Sequence, residues 1–246
     1  MPRRPAGRPA ARDPMPRSNR APAPADPRQD ARALADACER LGLALDVARR
    51  DKLLAYCALL SKWNAVYNLT AIRDARAMLV QHLFDCLAIV PPLAAHGLRD
   101  GAVVVDVGSG AGLPGVVIAA CVPNAQVHCV DTVGKKAAFV RQVRAELGLA
   151  NLHAHHARVE ALAVPADLPP ADLVVSRAFA SLAQFVELTG HLLAPGGRWA
   201  AMKGTLPDDE LAALPATVRP VAAITLDVPQ LDAERHLIVL ARADTS

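Results

Sequence analysis

Short apolar runs and stretches of helical period alternate along the second half of this chain. Ala102 to Val105, Gln126 to Val130, Asn151 to His155, Ala171 to Val175 and Arg198 to Met202 are brief segments with apolar ends. Each predicts a buried strand, the first being strongly β-branched. Val116 to Cys121, Gly134 to Leu147 and Gln184 to Leu193 read as helices between them, and strands separated by helices pair in parallel. The order changes after Lys203. Asp208 to Leu214 reads as a helix, but Val221 to Val228 and His236 to Ala241 are strands joined by a loop too short for a parallel crossover, so that pair is antiparallel. Ahead of Ala102 the period is helical. Asp30 to Leu41 and Val47 to Val66 form two helices, and a third is capped by Asp74 and ended by Pro91 and Pro92. The fold class is therefore α/β, a mostly parallel seven-stranded sheet with an antiparallel C-terminal hairpin and a small N-terminal helical region.

The turn after the first strand carries the candidate chemistry. Gly108, Gly110, Gly112 and Gly115 let the backbone bend tightly and approach a ligand with no side chain in the way. Read from Gly110 the loop matches GxGxxG, a dinucleotide signature that is weak alone. Asp106 ends the strand two residues before the first glycine, and two like charges ~5 Å apart at an effective dielectric of ~20 repel by about 3 kcal/mol. A pyrophosphate is a poor guest beside it. S-adenosyl-L-methionine, with a cationic sulfonium and ammonium and no phosphate, suits an acidic strand end. The alternative for Asp106 is local, capping the helix start or binding loop amides. Asp131, ending the second strand, is placed to accept both hydroxyls of an adenosine ribose. Arg158, Val159 and Glu160 follow the third strand, and Ser176 to Phe179 the fourth, along the carboxyl edge where open parallel sheets hold ligands. Five such strands closed by an antiparallel hairpin are the layout of a Rossmann-like class I methyltransferase.

Composition alters this picture mainly at the N-terminus. Residues 1 to 28 hold seven arginines, two aspartates and eight prolines, so they read as a disordered basic arm, with contact to nucleic acid and no function both open. The whole chain carries only +3, which leaves the body mildly acidic. Residues 29 to 246 read as a single domain, with the helical region at 29 to 100 and the cofactor-binding core at 101 to 246. The five cysteines form no CxxC pair and sit in apolar segments, as small buried hydrophobes rather than disulfides or metal ligands. No apolar run approaches the ~20 residues that cross a bilayer, and the arm has no secretory core, so a soluble cytoplasmic protein is expected.

Two polar pairs lie in the helical region, Asn64 with Asn68 and His82 with Asp85. The second has the spacing of a catalytic pair, although a hydrogen-bonded structural histidine is the commoner outcome. With SKWNAVYNLT (61 to 70), QHLFDCL (81 to 87), VDVGSGAGLPG (105 to 115), VDTVGKKAAFVRQV (130 to 143), ARVE (157 to 160), SRAFASL (176 to 182) and ERHLIV (234 to 239), the chain resembles the small-subunit ribosomal RNA methyltransferase family RsmG, also called GidB. The resemblance covers about residues 34 to 241. It implies methylation by S-adenosyl-L-methionine of N7 of the guanosine at position 527, in the 530 loop of 16S ribosomal RNA. The implied partner is that RNA or the small ribosomal subunit, with a monomeric enzyme and neither metal nor membrane. It implies a cofactor pocket at Gly108, Leu113, Asp131, Val159, Glu160 and Arg177, to which the glycine loop adds Gly110. No catalytic side chain is assigned, because guanine N7 has a free lone pair and no proton to lose. Arg177 is placed to meet the cofactor carboxylate or an RNA phosphate, and Lys203 to contact RNA. The rival readings are a dinucleotide-dependent oxidoreductase and a catalytically silent RNA-binding assembly factor.

Overall fold

A computed structural model describes residues 26–177, 179 and 181–243, so the basic arm up to residue 25 lies outside the described residues. Helix α1 (Pro27–Arg40) starts just inside the proline-rich segment, because the Asp26 carboxylate accepts from the Arg28 N–H and Pro27 suits a first helical turn. Helix α2 (Val47–Tyr67) ends at Asn68, which takes a left-handed φ of 50°. The third helix, α3 (Ala75–Ala94), departs from expectation in two ways. Pro91 and Pro92 do not end it. They occupy the first turn of its last segment, Val90–Ala94, where a missing N–H costs little. Its residues Leu79–Phe84 form a π-helical turn, a local widening often found at functional sites. By length and composition alone α3 would cross a membrane, contrary to the expectation that no apolar run is long enough, but most of it is buried in this fold.

The sheet contains β1 (Val103–Val107), β2 (Gln126–Asp131), β3 (Leu152–His156), β4 (Ala171–Arg177), β5 (Leu193–Lys203), β6 (Val218–Thr225) and β7 (His236–Arg242) in the order 3-2-1-4-5-7-6. Strands β1 to β5 are parallel, and β7 lies antiparallel to both β5 and β6. Helices α4 (Gly115–Cys121), α5 (Gly134–Leu147), α6 (Leu182–Thr189) and α7 (Asp208–Ala212) complete the alternation. Two boundaries differ from the sequence pattern. Strand β5 begins at Leu193, so Ala194 to Gly197 belong to its irregular start rather than to a separate turn, and β6 begins at Val218 instead of Val221.

One face of the sheet, through Val104, Val127, Cys129, Leu173 and Val175, shares a core with α4, α5 and the three N-terminal helices. The other face, through Val105, Val130, Val174 and Trp199, packs against α6. Parallel pairing aligns Asp106 with Cys129 and Val175, and Arg177 with Met202, so the acids and cations that end the strands emerge along one edge.

The β2–β3 edge contains a buried titratable group away from that site. His128 is 6% exposed, stacks with His153 and His155 at ring-centroid distances of 4.7 and 5.2 Å, and leaves its Nε2 without a partner. Burial, reinforced by the two neighbouring imidazoles, lowers its pKa to about 4. Above the unfolded value of 6.5 both states are neutral and the native state keeps its full stability; as pH falls from 6.5 toward 4 only the unfolded chain takes up the proton. Through His128 alone, lowering the pH from 7.5 to 5.0 should therefore cost about 2 kcal/mol in denaturant-unfolding free energy. His128→Phe should flatten the pH slope by about that amount, the remainder belonging to groups such as His82, whose pKa burial also lowers to about 4; an unchanged pH slope in the variant would assign all of it to other groups.

Candidate active site

The loop between β1 and α4 takes left-handed φ values of 66° at Gly108, 58° at Gly110 and 87° at Gly112, which glycine adopts without steric cost. The Gly108 and Ser109 N–H groups donate to the Val130 carbonyl, and the buried Tyr56 hydroxyl donates to the Ala111 carbonyl at 2.9 Å, so β2 and α2 both hold the loop. Gly115 is needed for its size. A Cβ there would overlap Cys129 Sγ and lie 2.9 Å from Asp106 Oδ2.

Asp106 corrects the charge argument drawn from sequence. It is fully buried, its Oδ2 accepts from the Gly115 N–H at 2.8 Å, and burial pushes its pKa up to about 7. The local role is the one it plays, and it lines neither of the two cavities at this edge. The acid that faces a cavity is Asp131. Its Oδ2 accepts from the Gly110 N–H at 2.9 Å, its Oδ1 from the Val133 N–H at 2.8 Å, and Lys136 Nζ lies 3.7 Å away. A carboxylate has about four lone-pair sites, so these bonds orient Asp131 while leaving acceptor capacity for two hydroxyls.

Two adjoining cavities divide the expected site residues. One, of about 420 Å³, is lined by Gly108, Asp131, Val159 and Glu160, together with Lys136 and Phe179. Val159 sits in a 3₁₀ turn after β3, and the Glu160 carboxylate is turned to Arg158 at 2.6 Å. The other, of about 610 Å³, is lined by Gly108, Gly110, Leu113 and Arg177, and by Thr70, His82, Asp85, Lys203 and Arg235. Gly108, Lys136 and Phe179 border both.

Arg177 organises the larger cavity. Its NH1 reaches His82 Nδ1 at 3.1 Å, the Gln81 carbonyl at 3.3 Å and Asp85 Oδ2 at 3.8 Å, while Asp85 Oδ1 accepts from Arg235 Nε at 3.0 Å. A guanidinium only donates, so toward Arg177 Nδ1 of His82 is the acceptor; the Gln81 carbonyl, 3.2 Å from that nitrogen, then accepts from Arg177 instead, and Nε2–H donates to Thr70 Oγ1 at 2.8 Å. Burial and the Arg177 charge lower the His82 pKa to about 4. His82 and Asp85 thus share a cavity but meet through the arginine, not each other. The asparagine pair separates: Asn64 donates to the Ile72 carbonyl and accepts from the Thr70 N–H, fixing the loop after α2, while Asn68 accepts from Arg73. Lys203 pairs with Glu210 at 2.8 Å, and Glu210 also accepts from the Leu182 N–H at the start of α6.

Sequence reasoning missed the roles of Tyr56 and Phe179, and read Lys136 only as one of four basic residues on a solvated helix face that could also meet phosphates. Phe179 and Arg235 stood inside quoted motifs without an assigned function. Tyr56 had no signal, because its partner is a backbone carbonyl 55 positions away. Among the described residues, no group of three or more His, Cys, Asp or Glu side chains is arranged to hold a metal ion.

The 3-2-1-4-5-7-6 sheet, its glycine loop after β1 and the acid after β2 define a Rossmann-like class I methyltransferase. The fold is shared with TrmN from Thermus thermophilus (TM-score 0.52, 22% identity, covering 67% of this chain and 53% of that one). It is also shared with a SAM-dependent methyltransferase from Aquifex aeolicus (TM-score 0.50, 19% identity, covering 67% and 92%). The chain belongs to the GidB family, rRNA small subunit methyltransferase G, whose model matches residues 49–238. Similar curated proteins are the ribosomal RNA small subunit methyltransferase G of Burkholderia pseudomallei (strain 1106a) and that of Burkholderia mallei (strain NCTC 10229). Each is 56% identical over 206 residues, which covers 83% of this chain and 88% and 89% of those proteins.

Proposed function

We propose that this chain methylates N7 of guanosine 527 in 16S ribosomal RNA, with S-adenosyl-L-methionine as the methyl donor. The observation that supports this reading, beside family membership, is the pair of cavities that meet at Gly108, Lys136 and Phe179. The smaller fits the nucleoside end of the cofactor. Asp131 offers free acceptor sites to the ribose, Val159 an apolar edge to the adenine, and Glu160 its backbone amide. The backbone of Gly108 and Gly110 borders the methionine part, and a Cβ at Gly110 would meet only open space, so nothing obstructs close approach. When bound, the cofactor supplies an electrophilic methyl group on a positively charged sulfur.

The larger cavity receives the guanine. Its cations, Lys136, Arg177 and Arg235, suit an RNA phosphate backbone, and they are held by Asp131 and Asp85 rather than left to move. N7 carries no proton, so the protein's task is alignment and electrostatic accommodation, and no side chain removes a proton. A ribosomal RNA substrate supports reading this chain as a soluble, cytoplasmic enzyme.

His82 tests that division of labour. Both its nitrogens are engaged and its pKa lies near 4, so it acts by holding Arg177. His82→Ala should slow single-turnover methylation by less than the 10²- to 10⁴-fold that removal of a general base costs, with no change in the pH–rate profile between 6 and 8. A three-decade loss in a folded variant that still binds cofactor would make His82 catalytic. The reaction itself is tested by the product. RNA methylated by this chain should be cleaved by borohydride and aniline at a single guanosine. Methylated RNA that resists cleavage would assign another target atom, and an absence of turnover would leave an RNA-binding factor.

A further inference from the structure

We propose that Phe179 is the stacking platform for the target guanine, and that its ring face stabilises the positive charge the base acquires on methylation. This rests on the N7 reading above. Phe179 lines both cavities, so its ring borders the passage through which a methyl group must move. It is half-buried, held from behind by Phe185 at a ring-centroid distance of 5.7 Å. A Cβ at Gly108 would lie 3.1 Å from Phe179 Cδ2, so the absence of a side chain at Gly108 lets the ring lie against the loop. Apart from the fully engaged His82, Phe179 is, among the described residues, the one aromatic side chain lining the larger cavity.

The chemistry gives this position a particular value. In the transfer, the N7 lone pair forms the new nitrogen–carbon bond while the carbon–sulfur pair leaves with sulfur. The positive charge therefore moves from sulfur to the base, and neither a proton nor a further reactant is required. An aromatic face carries a negative quadrupole that attracts a cation more strongly than a neutral base. A ring stacked on the guanine consequently binds the transition state more tightly than the ground state, and only such differential binding raises the rate of the chemical step. The surrounding cations oppose a positively charged base, which makes a π face the fitting neighbour. Arg177 and Arg235 share Asp85, and Lys203 is paired with Glu210.

Leucine and tyrosine at this position separate the ring face from apolar bulk. A desolvated cation–π contact made only as the base becomes charged corresponds to up to roughly 30-fold in rate, so Phe179→Leu should lower the single-turnover methylation rate at saturating RNA and cofactor by about 10- to 30-fold. Phe179 also borders the cofactor cavity, so calorimetric affinity for S-adenosylhomocysteine, measured without RNA, should fall, but by a clearly smaller factor than the rate. Phe179→Tyr keeps the face and should keep the rate within about threefold. Thermal midpoints establish that both variants are folded. Three results would each overturn the proposal: a leucine variant as fast as wild type, a loss of S-adenosylhomocysteine affinity that parallels the loss of rate, or a tyrosine variant as slow as the leucine one. Borohydride–aniline mapping of the wild-type product is read separately, so a wrong target atom is not confused with a wrong platform.

Discussion

Asp131→Ala should weaken binding of S-adenosylhomocysteine by about a hundredfold in a protein that remains folded. Its carboxylate ends β2, faces the smaller cavity and keeps acceptor capacity after bonding the Gly110 and Val133 amides. Two hydroxyls donating to a charged acceptor contribute about 1.5 kcal/mol each at the lower end, and about 3 kcal/mol corresponds to roughly two decades in Kd. The substitution also releases the Gly110 N–H, loosening a loop whose φ values only glycine adopts readily. Asp131→Asn retains the shape but presents an amide N–H₂ toward a backbone donor, so it should lose nearly as much. Titration calorimetry measures both, and affinity within threefold of wild type for Asp131→Ala would remove Asp131 from the cofactor site.

The second large effect concerns Asp85, which is 4% exposed between Arg177 and Arg235. Burial pushes its pKa up despite both guanidiniums, so the ionic cluster is no net source of stability. Removing the anion is another matter. Asp85→Ala leaves two partly buried guanidiniums without a counter-charge, a loss of about 3 kcal/mol, which for a chain of this size lowers Tm by roughly 6–12 °C. Arg177 would keep His82 and the Gln81 carbonyl but lose its anionic partner, and single-turnover methylation should fall at least ~10-fold. Asp85→Asn, which still accepts from Arg235, should fall between the two. A Tm within 2 °C of wild type for Asp85→Ala would show that solvent already screens the pair.

How much of the site the sequence disclosed depended on the kind of signal each residue leaves. Strand ends followed by glycine or by an acid are local patterns, and they located the edge to which Gly108, Asp131, Val159 and Arg177 belong. Asp106 has the same local pattern as Asp131, yet one is sealed against Gly115 and the other opens on a cavity. Only the packing of α4 onto β1 and β2 separates them. Pro91 and Pro92 read as a helix end because proline stops a helix it follows, but each is equally at home in the first turn of a new segment. The π turn that carries His82 leaves no mark in the hydrophobic period, since the residues on both sides keep their helical spacing.

By itself the sequence determined the order of strands and helices, the antiparallel closing pair and the glycine turn, because these follow from hydrophobic period, turn chemistry and loop length. Tertiary structure alone decided which acid faces a cavity, that His82 and Asp85 communicate through Arg177, and that Phe179 borders two cavities. The physical reason is separation along the chain. His82 and Arg177 are 95 positions apart and Asp85 and Arg235 are 150 apart, so their hydrogen bonds exist only once the sheet order brings α3, β4 and the β6–β7 loop to one edge.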